Sequence, residues 1–166
     1  MYSTKLTIFG YIVYVVTTKQ HDTAMDFVFG DNGRYNDAVT YYTKGRVSIK
    51  IIETNEQLPD RTPGWLNYKN QPITASTGGT GQLTFPEDCE WVCIPAKNNS
   101  DTLPDVEKVV LTSGQTQTFE VGTKLYVPVG DISIDGQTYP APHQILIQTE
   151  PKTITALTDV YALHFL

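Results

Sequence analysis

VLTSGQTQTFEVGTKLYVPVGDISIDGQTYPAP, Val110 to Pro142, decides how this chain is read. Short apolar runs are separated by glycine-bearing turns at Gly114, Gly122, Gly130 and Gly136. Apolar runs this short, broken this regularly, predict antiparallel strands closing into a small barrel or sandwich. Asp135-Gly136 is the clearest turn, because a type I′ hairpin turn needs positive φ. The inward faces are expected to carry Leu125, Val127, Ile132, Ile134, Ile145 and Ile147.

The same rhythm extends on both sides. Strands are expected over 82–85, 89–94, 106–111, 116–119, 124–129, 132–134, 144–148, 153–156 and 160–165. Towards the N-terminus, 5–16 reads as one long strand bending at Gly10, followed by 25–29 and 46–52. In the last of these, Val47, Ile49 and Ile51 share one face. Pro59 and Pro63 exclude regular ladder pairing between them. Tyr35 to Lys44 is the only helix candidate, and its Tyr and Thr content argues against it. TASTGGTGQ, Thr74 to Gln82, is small, polar and glycine-rich, and marks the expected boundary. The division is then a β-rich N-terminal region, 1–73, and a barrel domain, 80–166.

Bulk properties agree with an all-β protein. The chain has 166 residues, 40% of them apolar and ten of them Tyr, enough to bury a core and rich in residues that suit pleated sheets. Twelve dispersed basic residues in a chain of net charge −6 do not form the cationic patch that phosphate binding needs, so nucleic acid is excluded as a partner. Leu6 to Val16 is the most apolar run, too short to span a membrane as a helix. No membrane partner is expected. Cys89 and Cys93 would lie about 13 Å apart along one strand, too far for a disulfide. Free thiols suit a reducing cytosol.

Residues 81–166 resemble a small cupin-like jelly roll. The resemblance rests on SGQTQTFEVGTKLYVPVGDISIDGQTY, Ser113 to Tyr139, with its spaced glycines and Asp135-Gly136 hairpin. The closing stretch, APHQILIQTEPKTITALTDVYALHFL, is similar to the end of cupin-like virion-associated proteins of tailed phages. The residues carrying that pattern are Thr153, Thr155, Ala156, Asp159, Tyr161, Leu163 and Phe165. The resemblance implies a non-enzymatic virion component, a capsid decoration or head or tail accessory protein made in the host cytoplasm. Its partners would be itself, as a trimer or other closed oligomer, and virion proteins such as the major capsid protein. A carbohydrate-binding module for host recognition and a metal-free cupin-type enzyme are the alternatives.

Metal-binding cupins carry a His-x-His pair, a Glu and a later His. The matching place here is Thr123-Lys124-Leu125-Tyr126-Val127, which has no histidine. His21, His143 and His164 are the chain's three; His143 and His164 fall on separate expected strands that could meet, but two His without a positioned carboxylate make a weak site. No metal or other cofactor is expected. Nucleophile and phosphate-loop motifs are missing. Asp131 to Gly136 looks superficially like a calcium loop, but it is short of oxygen ligands and reads as a hairpin. The remaining candidates are Tyr35, Tyr41, Tyr42, Trp65 and Tyr68, read as an exposed aromatic group for oligomer contact, with sugar stacking or ordinary core packing as the alternatives, and His143 as a lone partner contact.

Overall fold

The computed structural model describes residues 2–28, 38–68 and 79–166, with the side chains of 25–28 and 68 left aside. The described residues are almost entirely strand. Their one helical element is a single 3₁₀ turn, Ala96–Asn98. No helix among them is long and apolar enough to cross a membrane.

The chain divides into two compact units. The first comprises residues 1–7 and 11–103, the second 8–10 and 104–166. The expected boundary at Thr74–Gln82 is therefore displaced to Leu103–Pro104. The physical reason is strand pairing: the stretch after the glycine-rich segment hydrogen-bonds to strands that precede it.

In the first unit the strands are β1 (Tyr2–Ile8), β2 (Tyr11–Thr18), β3 (Thr23–Val28), β4 (Ala38–Lys44), β5 (Ser48–Ile51), β6 (Leu66–Tyr68), β7 (Gly79–Thr84) and β8 (Cys89–Pro95). They form a five-stranded sheet, β1-β2-β8-β4-β6, and a three-stranded sheet, β3-β7-β5. The single N-terminal strand expected over 5–16 is two strands, because Phe9 and Gly10 both adopt positive φ and turn the chain. The helix considered over Tyr35–Lys44 is corrected for its described part: 38–44 is β4, paired on both sides. Its β-branched and aromatic side chains fit a sheet better than a helix. The core is built on rings. Phe85 and Trp91 stack with centroids 5.9 Å apart, and Tyr42 lies 5.8 Å from Trp91. Val47, Ile49, Ile51, Leu58 and Leu83 fill around them. Cys89 and Cys93 stay free thiols, as their spacing on β8 requires. Burial pushes the Cys89 thiol upward.

The second unit contains β9 (Val106–Leu111), β10 (Thr116–Phe119), β11 (Lys124–Val129), β12 (Ile132–Ile134), β13 (Gln137–Tyr139), β14 (His143–Leu146), β15 (Lys152–Ala156) and β16 (Val160–Phe165). Two four-stranded antiparallel sheets result, β10-β15-β12-β13 and β14-β11-β16-β9. Leu125, Val127, Ile132, Ile145 and Ile147 form the core with Val109, Leu111, Phe119, Ile154 and Val160, and Ile134 packs against it partly buried. The inward face read from alternation is thus the observed core. Asp135 (φ 51°) and Gly136 (φ 78°) make the β12–β13 turn, the two positive-φ positions a type I′ hairpin turn demands. The strand β13 that follows, Gln137-Thr138-Tyr139, is mostly exposed and has no apolar alternation to reveal it in sequence.

Candidate functional site

Strand order puts β13 at one edge of the first sheet of the second unit and β14 at one edge of the other. A cleft of about 480 Å³ opens there. Its apolar floor is Ile134, Ile145 and Ile147, continuous with the core cluster. Its polar wall comes from Asp135, Tyr139, His143, Gln144, Gln148 and Lys152. A small, mostly pre-formed cleft with few polar groups over an apolar floor is the usual form of a small-molecule site.

Each polar group is placed by its strand. His143 opens β14 opposite Val127 of β11, so it shares the face of the buried Ile145 two residues on. Tyr139 ends β13, and its ring packs on the His143 imidazole with centroids 5.0 Å apart and planes at 49°. Lys152 starts β15, and its Nζ donates to Asp135 Oδ2 at 2.7 Å and to Glu150 Oε1 at 3.0 Å. Those two hydrogen bonds, Asp135 first, hold the Lys152 ammonium above its ordinary 10.5. Lys152 is thus a fixed positive charge, with one of its three N–H groups left for a ligand.

The metal-binding set of cupins does not fit this chain. The segment matching the paired histidines of metal-binding cupins lies on β11, where Leu125 and Val127 are 2% exposed and packed in apolar core. Neither side chain offers a donor atom to an ion. His143 and His164 do not meet. They flank β11 opposite Val127 and Leu125 respectively, two strands and two residues apart, about 12 Å by sheet geometry. His164 instead lies 3.9 Å from Glu107 across the β9–β16 pair. Among the described residues no three His, Cys, Asp or Glu side chains group to hold a metal.

The aromatic residues expected to face a partner are placed differently. Tyr41 is 0% and Tyr42 7% exposed, because β4 lies between β8 and β6 in the five-stranded sheet. Trp65 packs against the aromatic core, donates its Nε1 to Asn67 Oδ1 at 2.8 Å, and lies under the Arg61 guanidinium at 4.4 Å. An exposed aromatic face is corrected for Tyr41 and Tyr42, whose rings are buried, while Trp65 is partly buried against the core. Tyr68 is the last residue of β6, opposite Val39, and its side chain is outside the description. Tyr35 lies outside the described residues. His143 is the member of that set that joins the cleft. Lys152, Tyr139 and Asp135 were not legible as site residues, for nothing in their spacing links β15 to β13 and the turn before it.

No family model and no curated protein matches the sequence. Solved structures do resemble the fold. HutD from Pseudomonas fluorescens SBW25 superposes with a TM-score of 0.53 at 9% identity, covering 98% of this chain and 84% of that one. The bacterial pirin YhhW from Escherichia coli, solved with nickel(II), gives 0.49 at 12% identity over 96% of this chain and 83% of its own. Quercetin 2,3-dioxygenase from Acinetobacter baumannii gives 0.47 at 13% identity over 95% and 74%. These comparisons overturn the expectation of a non-enzymatic tailed-phage virion component. These three structures are a pirin, HutD and a dioxygenase, and none of them is a virion protein. The capsid-decoration reading and the reading as a non-enzyme both give way. The chain is an all-β protein of cupin-like jelly-roll fold.

Proposed function

We propose that the chain is a cupin-type enzyme that works without a metal, moving a proton on a small carbonyl-bearing acid or sugar in the cleft of the second unit. One observation carries this reading: the cleft gathers an imidazole packed on a phenol ring and a pinned ammonium above an apolar floor. Imidazole can take and give a proton near neutral pH, the chemistry required of a general acid or base. The Lys152 ammonium supplies a fixed positive charge for a carboxylate, or for the negative charge that develops on a carbonyl oxygen when a neighbouring C–H is deprotonated. Tyr139 holds the imidazole plane through its ring contact and presents its hydroxyl as a second polar group. Ile145 and Ile147 keep water from the apolar side of the substrate. At the place matching the paired histidines of metal-binding cupins this chain carries Leu125 and Val127, so the chemistry falls to His143 and Lys152.

The test is incubation of the chelator-treated chain in D₂O with a panel of 2-keto acids, 2-hydroxy acids and ketoses. Carbon-bound deuterium is read by NMR. Exchange into at least one substrate is expected, with loss of about a hundredfold or more in His143→Gln. Lys152→Met is expected to raise KM more than it lowers kcat. No exchange with any member of the panel, or exchange undiminished in His143→Gln, overturns the proposal.

A further inference from the structure

The first unit carries a separate groove of about 510 Å³ that the second unit's chemistry does not use. It lies on the three-stranded sheet β3-β7-β5. Thr23 pairs with Thr84, and Thr84 with Ser48. The three hydroxyl residues therefore stand in one row across three adjacent strands, on one face. Their neighbours Leu83 and Ile49 point the other way into the aromatic core. The row is accessible: Thr23 and Thr84 are exposed and Ser48 is half-buried. At ordinary strand spacing it spans about 10 Å.

The surroundings are polar and balanced in charge. The groove is bounded by Pro86, with the Phe85 ring turned into the core, and flanked by His21, Asp22, Arg46 and Asp60. Arg46 Nη1 lies 3.4 Å from Asp60 Oδ2. Asp22 Oδ2 accepts the Lys19 N–H at 2.9 Å, which lowers its carboxyl below the usual value. Gln57 Nε2 donates to Ser48 Oγ at 3.1 Å. One guanidinium stands against two carboxylates, so the groove has no surplus of positive charge for an anion. It has donors and acceptors in alternation beside an apolar edge at Pro86.

We infer that this groove binds a neutral polyhydroxylated ligand, a saccharide of about two rings. A sugar hydroxyl both donates and accepts, and so do the Thr and Ser hydroxyls that face it. Planar groups such as the Arg46 guanidinium and the Asp60 carboxylate can each engage two adjacent hydroxyls. Pro86, half-buried beside the row, offers an apolar surface to the C–H face of a ring. The volume lies within the range of small-molecule sites.

The test is a ¹⁵N–¹H NMR titration of the full chain with maltose, cellobiose, lactose and sucrose at millimolar concentration. With at least one of them, shifts centred on the amides of Thr23, Ser48 and Thr84 are expected. Thr84→Val keeps the shape and removes the central hydroxyl, and should weaken binding about tenfold. If Thr84→Val loses its dispersed spectrum, Asp60→Asn replaces it with the same expected loss. No shift with any of the four sugars overturns the inference. So do shifts confined to Tyr139 and His143, or unchanged affinity in the variant. The deuterium-exchange readout concerns the other unit, so either reading can fail alone.

Discussion

The two units solve the problem of a β-sandwich core with different materials. The first packs a few large rings, Tyr42, Phe85 and Trp91, with Trp65 at their margin. The second packs mainly aliphatic side chains in its core cluster, with Phe119 as that cluster's one ring. A ring cluster buries much area per residue and depends on each member. An aliphatic core spreads the same task over many contacts. The difference reaches the polar groups. In the second unit the interior is filled, and the cleft forms at the sheet edges. In the first the polar groove lies on the outer face of a sheet whose inner face is apolar.

The charges divide along the same line. Glu53 in the first unit accepts the Thr80 N–H, Asp22 that of Lys19 and Asp88 that of Gln20, and each carboxyl lies below its usual value for that reason. In the second unit the shifted group is Lys152, raised by Asp135 and Glu150.

The comparison can be broken most forcefully at Trp91. Trp91→Ala should cost about 3–5 kcal/mol, read as a lower urea midpoint with Trp65 fluorescence as reporter. A loss under about 1 kcal/mol would show that the rings do not share the core as described. Leu125→Ala, in the aliphatic core, should cost about 2–4 kcal/mol, followed by the amide signals of residues 106–165. Equal or greater loss than for Trp91→Ala would dissolve the contrast. Gly130→Ala comes next. Gly130 has φ 107°, and a Cβ there would stand 2.5 Å from the Asp159 carbonyl oxygen and 2.7 Å from Val160 Cα. Backbone has to shift, so about 2 kcal/mol is expected to go, by the same denaturation curve. A variant as stable as the parent would place that strain elsewhere.

The smallest effect sharpens the contrast instead. A carboxyl lowered on folding stabilises above its ordinary value and stops doing so as the pH falls through the folded one. A raised ammonium stabilises below its ordinary value and stops as the pH rises through the folded one. Acid should therefore loosen the first unit first, below the ordinary 4.5 and 3.8 of its carboxyls. Alkali above 10.5 should reach the second through Lys152. Tryptophan emission reports the first unit, which holds both Trp65 and Trp91, and the amide signals around Lys152 report the second. All these groups are exposed, so the shifts should be small. The reverse order would show that the pinned groups do not govern either unit.

The strands from Val106 onward are legible because turn residues and alternation agree there, and β9, β10, β11, β12 and β16 have the ends that spacing predicts. What stays hidden is non-local. β7 looks like a linker, for Gly79 and Gly81 read as flexible until β3 and β5 are known to flank them. Tyr41 and Tyr42 look exposed in sequence because their neighbours are polar, and only two flanking strands show that they are covered. The cleft is hidden for the same reason. Lys152 starts β15, Asp135 lies in the β12–β13 turn and Tyr139 ends β13, and only sheet order brings them beside His143.

The tip of the first hairpin has a consequence for how this protein can be divided in the laboratory or completed on the ribosome. Residues Ile8 to Gly10 are grouped with the last 63 residues of the chain, and the Phe9 ring meets that of Phe165 edge-on with centroids 5.4 Å apart. A fragment made from 104–166 alone lacks that ring, and a nascent chain supplies Phe9 more than 150 residues before Phe165. The contact is a clasp that an early hairpin holds open until a much later strand arrives.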